Sequence, residues 1–292
     1  MSMNASETVQ AVEPVVKGRS LWQDAWRRFR RNKAAMASGV ILLLITVFVI
    51  VAPMLSPFGY ADTDWSNMGI APSMETKHYF GTDTLGRDLL VRTAVGGQIS
   101  LMVGVAGALV AVLVGTVYGA VSGFLGGKVD MVMMRFLEIL SAFPFMFFVI
   151  LLVTLFGRNI ILIFVAIGLV SWLDVARIVR GQTLSLKNKE FIEAARVTGV
   201  NNWQIVTRHI VPNVLGVVVI YASLIVPGMI LFESFLSFLG LGVQEPRTSW
   251  GHCSKKGLRP CKSLLGNCLY HLPFWWLHCF VLTLSAMACV MP

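Results

Sequence analysis

Long apolar runs separated by short polar segments dominate this chain. A membrane-spanning helix needs about 20 predominantly apolar residues, and five runs reach or approach that length: 34–55, 99–125, 137–156, 160–173 and 211–232. A sixth apolar stretch, 264–291, is interrupted by polar residues and a proline. The pattern predicts an all-α, polytopic membrane protein with about six transmembrane helices.

Composition supports a bilayer as the solvent of this chain. Of its 292 residues, 56% are hydrophobic and only 13% are charged, whereas soluble domains carry about 25% charged residues. The net charge of +9 could suggest nucleic acid, but the basic residues flank apolar runs and form no continuous basic face. The polar segment 1–33 precedes a run that is too long for a signal peptide, so we expect an uncleaved membrane helix.

The distribution of basic residues predicts which side each segment faces. Segment 1–33 ends in a basic cluster: Arg27, Arg28, Arg30, Arg31 and Lys33. Segment 174–212 is also strongly basic: Arg177, Arg180, Lys187, Lys189, Arg196 and Arg208. By the positive-inside rule both lie in the cytoplasm, and the acid-rich segment 57–98 lies outside.

Two features of the apolar runs have competing interpretations. Gly115 and Gly119 share one helix face at the spacing that lets helices approach closely, so we expect bundle packing, with lining of a translocation path as the alternative. Glu233 lies near the end of the fifth run. We expect it to mark the outer interface, and a role in the pathway is the alternative.

Residues 190–212 predict a helix, a turn and a second short helix at the membrane surface. Gly199 suits the position just after the first helix, Asn201 or Asn202 can cap the second, and Pro212 suits the first turn of the next membrane helix. On physical grounds alone this is an amphipathic interfacial hairpin. Small residues could let a partner surface come close, and apolar contacts could come from the loop's apolar side chains: Phe191, Ile192, Ile205 and Val206.

The same loop carries a family signature. Glu193-Ala194-Ala195, then Gly199, then Ile210-x-Pro212 resembles the EAA motif of ABC importer permeases. The resemblance implies a type I ABC importer transmembrane fold over residues 34–251. It also implies a coupling loop within 174–212 in which Glu193, Ala194, Ala195, Gly199, Ile210 and Pro212 dock a separate ATPase.

A second motif precedes the second apolar run. Phe80 to Asp88 resembles the GTDxxGRD stretch of the peptide-importing branch. The matching residues are Gly81, Thr82, Asp83, Gly86, Arg87 and Asp88. We expect this turn-rich stretch to position the second helix at the outer face, in preference to direct substrate contact.

The resemblance extends over residues 18–251, because the stretch 233–251 is also similar to the peptide-importing branch. It is greatest to the C-type permease subunit of oligopeptide importers, and dipeptide or nickel importers are the alternatives. The implied partners are a second permease subunit forming a heterodimer, two ATPase subunits, a periplasmic peptide-binding protein, a peptide and the lipid of the bacterial inner membrane, with no role for nucleic acid.

We expect no catalytic residue, metal or cofactor on this chain. The stretch 122–128 lacks the spacing and the hydroxyl residue of a phosphate-binding loop, so ATP and Mg would be bound by the partner subunits. An intramembrane enzyme is disfavoured, because the first five runs contain no histidine. A non-transporting membrane scaffold is the other rival, and it predicts that changes in the loop leave uptake intact.

The resemblance stops after Gly251. All five cysteines lie in the last forty residues. Regrouping the codons of 286–292 one base earlier forces Gly and Ala at two positions and permits Asp-Gly-Leu-Arg-Asp-Ala, which is similar to the family's tail. We therefore interpret 252–292 as an atypical segment read in a shifted frame.

Overall fold

A computed structural model of the chain describes residues 30–157, 160–251 and 253. Apart from an isolated bridge between Thr82 and Asp88, the regular structure in these residues is helical. They form α1 (Lys33–Leu55), α2 (Leu89–Leu125), α3 (Gly127–Ala142), α4 (Phe145–Phe156), α5 (Ile160–Leu186), α6 (Glu190–Val197), α7 (Asn202–Ile205), a π turn (Val206–Ile210) and α8 (Val211–Phe238). The predicted sixth stretch, 264–291, lies outside the described residues.

Several of these helices are long and apolar enough to cross a membrane. Within the described part of the chain there are three such helices: Met36–Leu55, Leu89–Leu125 and Asn202–Phe238. The bent pair α3 and α4 adds a fourth candidate if it forms one span. The all-α, multi-spanning prediction is confirmed, and the total of six helices stays a prediction.

Helix α2 begins at Leu89, well before the apolar run that we predicted from residue 99. Its first turns carry polar side chains that the rest of the chain covers. Arg92 donates to the carbonyl oxygen of Tyr60 at 3.1 Å, and Gln98 donates to that of Val49 at 2.8 Å. The predicted outer segment 57–98 is therefore a loop only as far as Asp88.

The predicted third run, 137–156, is not one straight helix. It is divided between α3 and α4, whose axes differ by 80°. Phe143 has extended backbone angles (φ −74°, ψ 128°) and precedes Pro144, which disfavours the helical conformation in the residue before it. Helix α5 runs to Leu186, beyond the predicted end at 173, because its later turns bury Ala176 and Val179 on one face.

Helix α2 lies between α5 and α8 and packs on both through glycines. A Cβ built on Gly119 would lie 2.3 Å from the carbonyl oxygen of Ala176, and one on Gly115 would lie 2.8 Å from that of Trp172. On the α8 side, a Cβ on Gly104 would lie 2.9 Å from Ile230. The predicted small-residue face is therefore a helix–helix contact, as the spacing suggested.

The segment 190–212 follows the predicted local chemistry. Gly199 has φ +80°, and the N–H groups of Gly199 and Val200 donate to the carbonyl oxygens of Arg196 and Ala195 at 3.0 Å each, which is a Schellman ending. Of the two predicted caps, the side chain of Asn201 caps α7. The second helix is not separate, because α7, the π turn and α8 run on as one helix.

Candidate functional site

We call residues 190–212 the docking loop, and one of its faces is part of the protein's own core. Ile192 is fully buried, and Ala195 is nearly so. They belong to the same apolar cluster as buried residues of α2, α5 and α8, together with Ile205, Val206 and Ile210. The expectation that Ile192, Ile205 and Val206 offer apolar contact to a partner is therefore wrong, and Ala195 and Ile210 also face inward.

The opposite face of the docking loop is open. Glu193, Ala194, Gly199 and Pro212 are exposed, so the structure places four of the six predicted docking residues on this side. Three apolar side chains that the chain itself leaves uncovered accompany them: Phe191, Val197 (88% exposed) and Trp203 (57% exposed). Apolar side chains exposed to this extent beside charged ones are typical of interaction sites. Val197 and Trp203 were not among the predicted residues.

The docking loop contacts the end of α2 as well as continuing into α8. The guanidinium of Arg196 lies over the ring of Phe124, 5.3 Å from its centroid, and Phe124 is in the last turn of α2. Because α7, the π turn and α8 form one helix, a displacement of the loop would act on α8 directly and on α2 through this cation–π contact.

A partly buried ion pair connects α2, α3 and α5 near the same end of the bundle. Arg180 on α5 donates to both carboxylate oxygens of Asp130 on α3, at 2.5 and 2.6 Å. The hydroxyl of Ser122 on α2 donates to the same carboxylate at 2.6 Å. A two-pronged pair with a third hydrogen bond holds one geometry, so this junction is a rigid base for the docking loop.

The outer motif, Gly81 to Asp88, packs closely against the backbone of the loop that precedes it. The hydroxyl of Thr82 donates to the carbonyl oxygen of Asn67 at 2.5 Å and accepts from the N–H of Ile70 at 3.1 Å. Gly81 and Gly86 have φ of +77° and +73°, and a Cβ on Gly86 would lie 2.1 Å from the carbonyl oxygen of Asp64. Both positions therefore require glycine.

Asp83 and Arg87 form the buried ion pair of this motif. The Nε–H of Arg87 donates to one carboxylate oxygen of Asp83 at 2.8 Å, and Nη2 lies 2.6 Å from the same oxygen as an ion-pair contact. The backbone N–H groups of Leu85 and Arg87 donate to the other oxygen. Burial alone would raise the pKa of the Asp83 carboxyl, but these hydrogen bonds and the charge of Arg87 hold it below its ordinary value.

Asp88 joins the motif to α2. One of its carboxylate oxygens accepts from the N–H of Val91 at 2.9 Å and so caps the helix, and the other lies 2.8 Å from Nδ1 of His78. His78 is buried, and its ring stacks on Phe58 with centroids 4.1 Å apart. All six predicted motif residues thus hold the loop and the start of α2 in place.

Sequence reasoning missed three charged or titratable residues of this cluster. They are His78, Arg92 and Glu245, whose carboxylate lies 3.5 Å from Nη1 of Arg87. His78 and Arg92 are both nearly fully buried. Their proximity to the GTDxxGRD stretch was the only signal available. Glu245 follows α8, so this contact ties the outer loop to the far end of the described chain.

Glu233 is not exposed to water. Its side chain is fully buried and accepts hydrogen bonds from Ser100 on α2 at 3.0 Å and from Ser237 at 2.7 Å. The backbone N–H of Trp250 donates to the Ser100 hydroxyl at 3.3 Å. The expectation that the helical run ends at Glu233 is wrong, because α8 continues to Phe238, and its place at the outer interface stays a prediction. Glu233 connects α8, α2 and the segment after α8.

Comparison with known proteins places this architecture in a family. Residues 115–288 match the binding-protein-dependent transport system inner membrane component family. Residues 20–72 match the N-terminal TM domain of oligopeptide transport permease C. The chain belongs to this permease family. The resemblance stated from the motifs is therefore confirmed, and the chain is the membrane subunit of an ABC importer with the type I permease fold.

Curated relatives agree with the family match. The oligopeptide transport system permease protein OppC of Haemophilus influenzae is 70% identical over 82% of this chain and 77% of that protein. The protein of the same name from Escherichia coli K12 is 72% identical over 86% of this chain and 84% of that protein. The dipeptide transport system permease protein DppC of Bacillus subtilis is 44% identical over 82% of this chain and 74% of that protein.

The two family matches cover different parts of the permease and leave residues 73–114 between them. The larger one includes the docking loop and α8, and it runs through most of the segment that follows residue 251. The smaller one includes α1 and the first part of the outer loop. The outer motif at 81–88 falls between the two ranges, so its assignment depends on the contacts described above.

Proposed function

We propose that this permease carries oligopeptides from the periplasm to the cytoplasm, with ATP hydrolysed by two separate subunits, one of which docks on residues 190–212. The observation that carries the proposal is the two-sided docking loop. Its inner face is continuous with the helical core, while Val197 and Trp203 are left uncovered beside Glu193. Such a surface suits a protein partner whose movement must reach the membrane helices.

The substrate proposal is supported by the relatives. Those at 70–72% identity are named for oligopeptide transport, whereas the dipeptide permease of Bacillus subtilis is 44% identical. Oligopeptides are therefore favoured over dipeptides.

The proposed assembly contains this chain, a second permease subunit, two ATPase subunits that bind ATP and Mg, and a periplasmic peptide-binding protein. We place segment 1–33 and segment 174–212, which contains the docking loop, in the cytoplasm, because both segments are rich in basic residues. Closure of the ATPase pair on ATP would push the docking loop. Since α7 to α8 is one helix and Arg196 contacts Phe124, the push would tilt α8 and α2 and open the path outward.

The docking loop is tested by Glu193→Lys and Val197→Asp. Glu193→Lys reverses a charge on the open face, and Val197→Asp adds a charge to an apolar position there. Both side chains are exposed, so neither substitution disturbs the core. We expect each to lower peptide uptake and ATPase co-purification by about tenfold or more, which corresponds to about 1.4 kcal/mol of lost interaction. Uptake of a labelled peptide and pull-down of the tagged permease measure the two effects.

The matched control is Glu138→Lys on α3, which makes the same charge change at an exposed position outside the docking loop. It should leave uptake and co-purification near the parental level. Normal uptake by Glu193→Lys and Val197→Asp at normal membrane levels would refute docking on this face and would favour a scaffold that does not couple to an ATPase here.

We also propose that the codons from about His252 onward are read in a shifted frame. The support is the forced Gly and Ala of the regrouped tail, together with the alignment of the relatives at 70–72% identity over only 82–86% of this chain. The match to the family itself continues to residue 288. Sequencing the 3′ end of the gene across codons 245–265 tests this. One inserted or deleted base there is expected, and an uninterrupted frame would refute the proposal.

A further inference from the structure

A cleft of about 640 Å³ opens where α3 breaks into α4, facing the middle of α5. Its walls are mostly apolar and include Phe143, Phe148 and Leu169. One edge is polar and consists of Ser141, Asp174 and Arg177. None of these residues belongs to the docking loop or to the outer motif. The volume lies within the range of about 300–1,000 Å³ that is usual for ligand sites.

The polar edge is preorganised by two helices. Arg177 donates from Nη1 to the carboxylate of Asp174 at 2.9 Å and from Nη2 to the hydroxyl of Ser141. That hydroxyl in turn donates to the carbonyl oxygen of Leu137 at 2.8 Å. The Arg177 side chain is nevertheless 43% exposed and that of Asp174 is 61% exposed. N–H donors of the guanidinium and a carboxylate oxygen therefore remain available side by side at the cleft.

The position of this edge argues for a water-filled path. An interrupted helix at membrane depth is tolerated where it lines a cavity, and broken helices form the substrate sites of many transporters. The α3–α4 break lines this cleft. Asp174 and Arg177 begin the segment 174–212 that the charge pattern places in the cytoplasm. The polar edge therefore lies at the cytoplasmic end of α5, where water can enter the cleft.

We propose that this cleft binds the main chain of the peptide in transit, an inference that rests on the proposed oligopeptide function. The guanidinium of Arg177 would donate to a peptide carbonyl oxygen, and the carboxylate of Asp174 would accept from the neighbouring peptide N–H. A donor and an acceptor held side by side complement a peptide backbone, which all peptides share. The aromatic walls at Phe143 and Phe148 would receive varied side chains without selecting among them.

The first test uses Arg177→Gln and Asp174→Asn in the complete transporter. We expect initial uptake rates to fall by about tenfold for peptides of different side-chain composition, as for the loss of one charge-assisted hydrogen bond. Methylation of the peptide nitrogens removes the N–H that Asp174 would accept from, so it should slow uptake by the parental transporter. Uptake by the Asp174→Asn variant should be much less sensitive to that methylation. The control is Arg135→Gln. Arg135 pairs with Glu138 at 2.8 Å on α3 with the same kind of spacing, but it does not line the cleft.

The second test does not depend on the folding of charge variants. Ser141→Cys in the assembled transporter should react with a water-soluble maleimide, and a transported peptide should slow that reaction severalfold. Met131→Cys, exposed elsewhere on α3, should react at a rate that the peptide does not change. Labelling of the introduced cysteine is measured as the increase over labelling of the parent chain, whose own cysteines all lie at residue 253 or beyond.

The outcomes separate the two proposals. If the parental complex takes up peptides while the Arg177 and Asp174 variants match the Arg135 control, or if peptide fails to protect Ser141→Cys, the main-chain site is refuted and the oligopeptide function stands. If the parental complex takes up no peptide, the proposed function fails, and the site falls with it.

Discussion

Replacing Gly119 by leucine should abolish accumulation of the folded permease and with it transport. A Cβ at this position would lie 2.3 Å from the carbonyl oxygen of Ala176 and 2.9 Å from the backbone nitrogen of Arg180. Both neighbours are main-chain atoms of α5, so the clash cannot be relieved by a side-chain rotation. The two helices would have to separate along the contact that forms the centre of the bundle.

The expected cost is large for a single substitution. Overpacking alone costs about 1–3 kcal/mol in a well-packed core, and the shift of α5 would also pull Arg180 away from Asp130. We expect a sharp fall in the amount of protein extracted from membranes and a lowered midpoint of thermal unfolding in detergent for what remains. Peptide uptake should fall in proportion to the loss of folded protein.

Gly181→Leu is the matched control for this prediction. Gly181 lies on α5, and no atom comes within 4 Å of a Cβ built there. Leucine also favours the helix over glycine by up to about 1 kcal/mol. The control should therefore accumulate and transport normally. Comparable stability of the Gly119 and Gly181 variants would show that α2 and α5 do not pack as closely as described.

Local backbone chemistry was the most predictable part of this permease. Gly199 and Asn201 take the positions that the sequence predicted, because an ended helix and a capped helix each depend on only a few neighbouring residues. Pro212 does not begin a helix, because α7, the π turn and α8 run on as one helix. The spacing of Gly115 and Gly119 was equally informative, since small residues on one helix face indicate where another helix packs closely.

The direction in which the docking loop faces could not be predicted. Apolar or small residues on one helix face, such as Ile192 and Ala195, indicate that this face is buried. They do not indicate whether it is buried by the protein's own core or by a partner. Here the core of α2, α5 and α8 covers it. The exposed Phe191, Val197 and Trp203 are consequently the apolar side chains left for a partner.

Charged residues that become buried were missed for a related reason. The sequence places Arg92 in the outer segment 57–98, because hydropathy treats each residue alone and a charged residue counts against a buried position. Its burial depends on Tyr60 and on the cluster around Asp83, which are distant in the sequence. The same applies to Glu233, which is accommodated by serines on two different helices.

Arg87→Met should release the outer loop from the bundle. Both side chains of the Asp83–Arg87 pair are nearly buried, so removing Arg87 leaves the buried carboxylate with only Arg92, at 3.9 Å, as a counter-ion. Breaking a buried pair in this way costs about 3–5 kcal/mol. We expect faster cleavage of the loop around residues 57–88 by an added protease, and a lower midpoint of thermal unfolding in detergent.

The companion variant Asp83→Asn/Arg87→Met should recover much of this loss. The asparagine is neutral, so no buried carboxylate is left at position 83. Its carbonyl oxygen can still accept from the backbone N–H groups of residues 85 and 87 that donate to Asp83 now. A double-mutant cycle over the two positions should therefore give a coupling of at least about 1 kcal/mol, within the range for residues in direct contact. Additive effects would mean that the two side chains do not act as a pair. The outer motif would then hold α2 through Thr82, the glycines and Asp88 alone.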